Sequence, residues 1–341
     1  MINKIKIFFL LFVFFIIFQL NSLSQSKVVY IPKKIDVEEN TVQSTTIRNM
    51  SKIDIYRCFP IYAIDDFIYL SDMLSPQVIK LSSQGKVVAR FGKKGQGPGE
   101  SEALYCVSGF KENIAIMGKF KVIICNKDLQ FIREIRLKEW FLDFIIIPNN
   151  KIYLYNNPSY SNYYFTIYTY DFKYSKKFGI KNPDAIDDKS PFRNYRYSYD
   201  QVRCTLYVPE ENGIWVSFKD RYDLRYYKDE KNAVDIKSKL PVFVACEDEF
   251  MGVKTNTYID RSILIAKNTD NLFYFYWKGD TLFCDVFNLD ENYRLYRRIK
   301  FPFPYMRLIH SREFNFYGLR YDANKENVFL DKLQIKPKGG K

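Results

Sequence analysis

One short pattern returns along the chain: one or two polar turn residues, then a strand in which side chains alternate between two faces. It reads DDFIYLSD (65–72), KENIAIMG (111–118), NNKIYLYN (149–156), ENGIWVSF (211–218), TDNLFYFYW (269–277) and EFNFYGLRY (313–321). The six copies stand about 40 to 60 residues apart, an interval that marks a repeat architecture. An apolar run precedes most copies, as in CFPIYAI, ALYCVSGF, WFLDFIIIP and RSILIAK. One or two further strand-like runs follow. After the first copy, QVIKLS leads through Ser83-Gln84-Gly85-Lys86 into VVARFG; after the second, KVIICN leads through Lys127-Asp128 into LQFIREIRL. Helical periodicity is scarce, and short strands bounded by turn residues are the all-β signature.

Four short strands per unit, six units and no helical crossovers predict an all-β, six-bladed β-propeller with four-stranded blades. Both faces of each strand are apolar because blades stack face to face around an axis. A β-sandwich followed by a second β domain is the competing architecture. The last unit supplies only three strands (YMRLIHS, FNFYGLRY, NVFLDKLQI) before the polar tail KPKGGK. An N-terminal strand is therefore expected to complete the sixth blade and remove its open edge, and KVVYIPKKID (27–36) is the segment expected to do so. Residues 181–200 and 228–260 read as loops on the propeller faces.

Composition supports the strand reading. The 341 residues include 30 Phe and 28 Tyr, and aromatics make up 18%, a preference suited to pleated, half-buried surfaces. AT-rich codons would enrich the same residues. The net charge is +13, but the cations are scattered and no basic helical stripe emerges, so a solvated surface and an anionic partner both remain open. Six cysteines show no metal-ligand spacing. Cys106, Cys125, Cys204 and Cys284 lie inside strand-like runs and read as buried thiols, with a disulfide as the alternative.

The N-terminus carries Lys4 and Lys6, an apolar run from Ile7 to Phe18, and Ser22-Leu23-Ser24 with small residues where a signal peptidase reads them. The run falls short of the roughly 20 residues that span a bilayer. Residues 1–24 read as a signal peptide, 25–336 as a single propeller domain and 337–341 as a disordered tail. The first cysteine, Cys58, is far from the cleavage site. The chain is thus expected to be exported, periplasmic or extracellular, without a lipid anchor or a membrane span in its mature form, and monomeric.

FGKKGQGPGE (91–100) raises the question of phosphate binding. No helix start and no Lys-Ser or Lys-Thr follows Gly92, Gly95, Gly97 and Gly99, and their spacing is neither a P-loop nor a Rossmann fingerprint. Gly92, Gly95, Gly97, Pro98 and Gly99 read as a structural turn joining the outermost strand of one blade to the innermost strand of the next. Residues 62–100 also resemble a repeat of the NHL-like (TolB-like) six-bladed propellers, and in particular the exported six-bladed propeller family common in Bacteroidetes. The resemblance rests on Ile68, Tyr69, Asp72, Gly85, Lys86, Gly92, Gly95, Gly97, Pro98, Gly99 and Glu100, with Ser83 where the repeat has an Asp. The other five units share only the blade rhythm. The resemblance implies the fold and export and is nearly silent on activity.

Some NHL-like propellers are calcium-dependent lactonases or zinc-dependent lyases with polar ligands at the channel mouth. His310 is the sole histidine, which excludes a multi-histidine zinc site and leaves Ser-His-Asp chemistry dependent on one residue. Asp65, Asp66, Glu247, Asp248 and Glu249 are acids expected in turns, ordinarily solvated. No catalytic or metal residue is assigned; no cofactor is expected, though calcium stays open. SPFRNYRYSYD (190–200) and KDRYDLRYY (219–227) alternate Arg and Tyr, so Arg193, Tyr195, Arg196, Tyr197, Tyr199, Arg221 and Tyr222 are candidate ligand-binding residues. The plainer reading is a strand with arginines outside and tyrosines packed inside. The functional expectation is an exported, non-catalytic binding propeller for a protein, peptide or glycan, with no nucleic-acid partner. The alternative is a calcium-assisted hydrolase or lyase of the propeller-lactonase type.

If the leader is read correctly, N-terminal sequencing or intact mass of the exported protein will show a chain beginning at Gln25. Retention of Met1 on the exported protein contradicts the assignment.

Overall fold

The computed structural model describes residues 27–337 except 33, 54–57, 65, 73–74, 111, 140, 148–150, 157–162, 170, 181–201, 205–212, 219–221, 229–230, 239–244, 251–252, 259–260, 304, 311–314 and 323–326. Three strands come first: β1 (Lys27–Tyr30), β2 (Val37–Glu38) and β3 (Val42–Asn49). Blade 1 follows as β4 (Cys58–Ile64), β5 (Phe67–Asp72), β6 (Gln77–Ser82) and β7 (Val87–Phe91). Blade 2 comprises β8 (Leu104–Phe110), β9 (Asn113–Gly118), β10 (Lys121–Asn126) and β11 (Phe131–Arg136). Blade 3 comprises β12 (Phe141–Ile147), β13 (Lys151–Asn156), β14 (Tyr163–Thr169) and β15 (Tyr174–Ile180).

Blade 4 comprises β16 (Val202–Cys204), β17 (Gly213–Phe218), β18 (Asp223–Lys228) and β19 (Lys231–Lys237). A separate hairpin, β20 (Ala245–Phe250) with β21 (Val253–Tyr258), precedes blade 5. Blade 5 comprises β22 (Arg261–Lys267), β23 (Asn271–Lys278), β24 (Thr281–Asn288) and β25 (Arg294–Lys300). The last three strands are β26 (Tyr305–His310), β27 (Phe316–Asp322) and β28 (Asn327–Ile335). The six sheets form a ring, and the six copies of the sequence pattern are the second strands of the blades. Innermost strands of neighbouring blades touch: β26 meets β4, β4 meets β8, β8 meets β12, and β22 meets β26.

Two-residue periodicity explains how each blade serves two interfaces. Along β23, Leu272, Tyr274 and Tyr276 face blade 4, while Phe273 and Phe275 face blade 6. On β9, Ile114 and Ile116 pack towards blade 1, and Ala115 and Met117 towards blade 3. Cys106, Cys125 and Cys284 are buried free thiols in these layers.

Bulges recur at matching places. In blades 1 to 5 the fourth strand carries one extra residue against the third: Val88, Ile132, Ser175, Ala233 and Tyr296. In five blades the innermost strand has its own extra residue: Pro60, Tyr105, Leu142, Ile263 and Met306. A bulge sharpens strand twist and leaves one residue unpaired. Pro60 suits such a position because it has no amide to leave unpaired.

The ring closes on β3, which pairs antiparallel with β28 from Val42–Ile335 to Asn49–Phe329. This corrects the expectation for residues 27–36. β1 instead pairs parallel with β19, and β2 pairs parallel with β25. Asp36 precedes the clasp's first residue, Val42, by six positions, and the side chains that meet Asp331 on β28, Ser44 and Thr46, belong to β3 and have no counterpart in 27–36. The N-terminal stretch thus runs round the rim over blades 4, 5 and 6. A second correction concerns residues 228–260: Lys231–Lys237 is a blade strand, and 245–258 holds the hairpin rather than only loop. Glu247, Asp248 and Glu249 accordingly lie in β20, not in a turn.

The closing strand is fixed by a fully buried carboxylate, Asp331. It accepts hydrogen bonds from Thr46 Oγ1 at 2.7 Å, Ser44 Oγ at 3.3 Å, Tyr305 OH at 3.1 Å and Arg320 Nε at 3.0 Å. Arg320 lies between the Phe303 and Phe329 rings, 4.6 and 4.8 Å from their centroids. Asp331→Ala leaves that guanidinium without its counter-charge and is expected to destabilise the fold by about 3 kcal/mol, the usual scale for breaking a buried pair. Thr46→Val, which keeps shape and removes one donor, should cost about 1 kcal/mol. Urea melts of both variants check the order; equal midpoints for wild type and Asp331→Ala contradict it.

Candidate functional site

The glycine stretch connects β7 to β8, and its interior is filled by its own side chain. Glu100 folds back so that Oε2 accepts from the Gly97 amide at 3.1 Å, while Oε1 meets Lys93 Nζ at 3.0 Å. A Cβ on Gly95 would stand 2.1 Å from that carboxylate. Gly92 and Gly99 have φ of +107° and +72°, which side-chain-bearing residues rarely adopt. The Gly99 amide and Lys121 Nζ both donate to Glu134 Oε2, at 3.2 and 3.0 Å, so the turn is tied to blade 2. Lys93 and the Gly97 amide hold the Glu100 carboxyl below its usual range. The amides that a phosphate would need already serve an internal carboxylate.

Buried charge elsewhere stitches blades together. Asp285 on β24 is fully buried and takes two bonds from Arg298, each 2.7 Å, one from Tyr222 OH at 2.5 Å and one from Tyr276 OH at 3.4 Å. Four donors occupy the lone-pair positions of a carboxylate, so Asp285 has no face left for a ligand. On blade 4, Arg225 bridges Asp223 at 3.1 Å and Asp235 at 3.7 Å. On blade 1, Lys80, buried under the Phe67 ring at 3.9 Å, reaches Asp128 of blade 2 at 2.8 Å. No group of three or more His, Cys, Asp or Glu gathers among the described residues.

Of the sequence candidates, Tyr222 is described. It is 4% exposed and packs edge-on against Tyr274 and Tyr276 at 4.9 and 5.5 Å. It is a packing residue of the interface between blades 4 and 5, not a ligand-facing one. Arg193, Tyr195, Arg196, Tyr197, Tyr199 and Arg221 lie outside the described residues, as does Asp65. His310 ends the innermost strand of blade 6. Gly92, Gly95, Gly97, Pro98 and Gly99 all sit in the turn described above.

The surface that the structure assembles lies on the outer rim of blades 1 and 2. Between Lys86 and Lys138 the sequence has eleven cations and five carboxylates. All five carboxylates are in ion pairs: Glu100 with Lys93, Glu102 with Lys119, Glu112 with Lys127, Asp128 with Lys80, and Glu134 with Lys121. The field left over is positive. Exposed apolar side chains interrupt it: Val88, Phe120, Phe131 and Ile132 are 49, 45, 41 and 49% exposed. Val88 and Ile132 are the bulge residues of their strands, which explains why apolar side chains point outwards there. Charge scatter along the sequence hid this surface. The signal that could have found it is the unbalanced charge of the segment 86–138.

No family model and no curated protein matches the sequence. Solved structures do resemble the fold. An exported protein of Bacteroides fragilis superposes with a TM-score of 0.62 at 12% identity, over 92% of this chain and 99% of that one. The Pan2 WD40 domain of Neurospora crassa gives 0.51 at 8%, over 89% and 100%. An oxidoreductase of Thermus thermophilus gives 0.51 at 9%, over 86% and 100%. At these identities the likeness is one of fold.

Burial pushes the Tyr222, Tyr276 and Tyr305 phenols above their usual value of 10.0, and the neighbouring Asp285 and Asp331 charges push further. Their folded-state values lie above the unfolded ones, so the stability they contribute is whole below pH ~10 and drains away as pH rises through the folded values. Absorbance at 295 nm should show fewer ionised tyrosines in the native protein at pH 11 than in urea at the same pH. A native titration that matches the unfolded one, tyrosine for tyrosine, contradicts this placement.

Proposed function

We propose that the chain is an exported, non-catalytic interaction propeller whose partner is an acidic protein, peptide or glycan. The observation that carries this is the rim of blades 1 and 2, where every carboxylate is already paired and the surplus is cationic. A positive field mixed with exposed apolar and aromatic side chains suits recognition of an acidic partner. The apolar leader and the repeat signature at 62–100 support export and membership of the NHL-like propellers. In this reading the Arg/Tyr stretch at 190–200 supplies a second recognition surface, whereas 223–227 belongs to the buried strand β18. Among the buried acids, Asp285, Asp331, Asp223 and Asp235 are engaged by Arg298, Arg320 and Arg225 between blade strands, which favours the binding reading over a calcium-assisted hydrolase.

The test is equilibrium binding of three probes to the mature chain at low and moderate salt: a polyglutamate peptide, an anionic polysaccharide and neutral dextran. The anionic probes should bind, dextran should not, and affinity should fall by roughly tenfold between 50 and 300 mM NaCl because surface charges are screened beyond ~10 Å. Chelation should leave the melting temperature unchanged. A stoichiometric calcium ion whose removal lowers the melting temperature, or no binding by either anionic probe, overturns the proposal.

A further inference from the structure

The chain itself shows what an outer blade edge can hold. β1 adds in parallel to β19 at Val234–Lys237, and β2 adds in parallel to β25 at Arg298 and Ile299. Both additions begin just past the bulge residue, Ala233 or Tyr296. On blade 5, charge fixes the addition. Arg297, one residue past the bulge, grips Glu38 with three bonds of 3.1, 3.1 and 2.8 Å and is buried to 6% exposure. Lys300, four past the bulge, pairs with Glu39 at 3.0 Å.

Aligned on its own bulge residue, Ile132, blade 2 repeats this arrangement. Arg133 stands one past the bulge and Arg136 four past it, with Ile135 where blade 5 has Ile299. Ile135 and Ile299 both pack towards the following blade. Two residues further on, Leu137 or Phe301 donates its amide to the carbonyl of Phe120 or Leu282. β11 is the end strand of its sheet, and Arg133 and Arg136 are exposed, with no ion-pair partner among the described residues. Arginine on an edge also discourages accidental pairing. What sets β11 apart is the match, position by position, to an edge that already holds an acidic strand.

We propose that β11 is a docking edge for an extended segment of a separate partner polypeptide. Adjacent carboxylates in that segment meet Arg133 and Arg136, and its backbone pairs in parallel with Arg133–Arg136. Strand addition takes affinity from main-chain hydrogen bonds and selectivity from alternate side chains; here the selectivity is for acid beside an apolar residue, as in Val37-Glu38-Glu39. The inference rests on the interaction reading above but concerns one edge of one blade.

The probe is a labelled synthetic peptide with the sequence Lys34–Thr41 of this chain, titrated into the mature protein and followed by fluorescence anisotropy. The tethered strap keeps its own place on blade 5 because its effective concentration is far higher than that of free peptide. Saturable binding is expected at one site per chain, at least tenfold weaker in the double variant R133E/R136E. A peptide carrying Lys at both Glu38 and Glu39 positions should not bind. Both arginines are exposed, so the double variant should melt as wild type does. No saturable binding, binding that survives the double reversal, or a cross-link that maps to β25 overturns the proposal. A concentration-dependent dimer abolished by the double reversal also overturns it, because the occupant is then a second copy. If the peptide fails while polyglutamate binds, only the edge proposal falls; if both fail, so does the interaction reading.

Discussion

The pairing of β3 with β28 is the constraint on which the rest of this propeller depends. A ring of blades stays closed only if its two ends are tied together, and here β3, from the N-terminal end of the chain, supplies the outermost strand of the last blade. Apolar alternation alone would let that strand slip by two residues. Asp331 prevents it, since Thr46 and Ser44 meet the carboxylate in one register only. Arg320 and Tyr305 complete its shell. A charge buried this completely contributes less to stability than to the choice of one register over its neighbours.

The same logic recurs around the ring in other residues. Asp285 with Arg298 and Tyr222, Arg225 with Asp223 and Asp235, and Lys121 with Glu134 each join outer strands of a blade or lean on the blade before it. Aromatic side chains fill the layers between, as where Tyr222 stands edge-on to Tyr274 and Tyr276. Polar contacts of fixed geometry set the angle between blades, while dispersion and burial supply most of the cohesion. That division explains why acidic and basic residues occur in the interior as pairs between blade strands.

The rim is asymmetric as a result of the clasp. To reach blade 6, the N-terminal stretch crosses blades 4 and 5 and adds a short strand to each. Blades 1 to 3 end on β7, β11 and β15, which carry no added strand among the described residues. One half of the circumference is thus tied by the chain's own N-terminal segment. The other half presents bulged, cationic edges, with Val88, Phe131, Ile132 and Tyr174 exposed among them.

Local pattern sufficed for much of this. The polar turn followed by an alternating strand located all six second strands, and the glycines at 92–99 announced a turn because only a chain needing positive φ concentrates them. The missing fourth strand of the last unit required an N-terminal partner. Which segment that is could not be read, because KVVY and VQSTTIRN both alternate and an edge strand needs only one good face. Register against Asp331, a residue almost 290 positions away from Ser44, made the choice. Tyr222 shows the same limit: an Arg/Tyr alternation looks alike on a binding groove and on a packed interface until Asp285 is placed beside it. The basic rim was invisible for the complementary reason. Its carboxylates and cations are interleaved in sequence, so the surplus shows only when the whole segment 86–138 is summed, and folding then pairs each acid with a cation. Periodicity of two is a property of neighbours along the chain; register, ring closure and net surface charge are properties of neighbours across it.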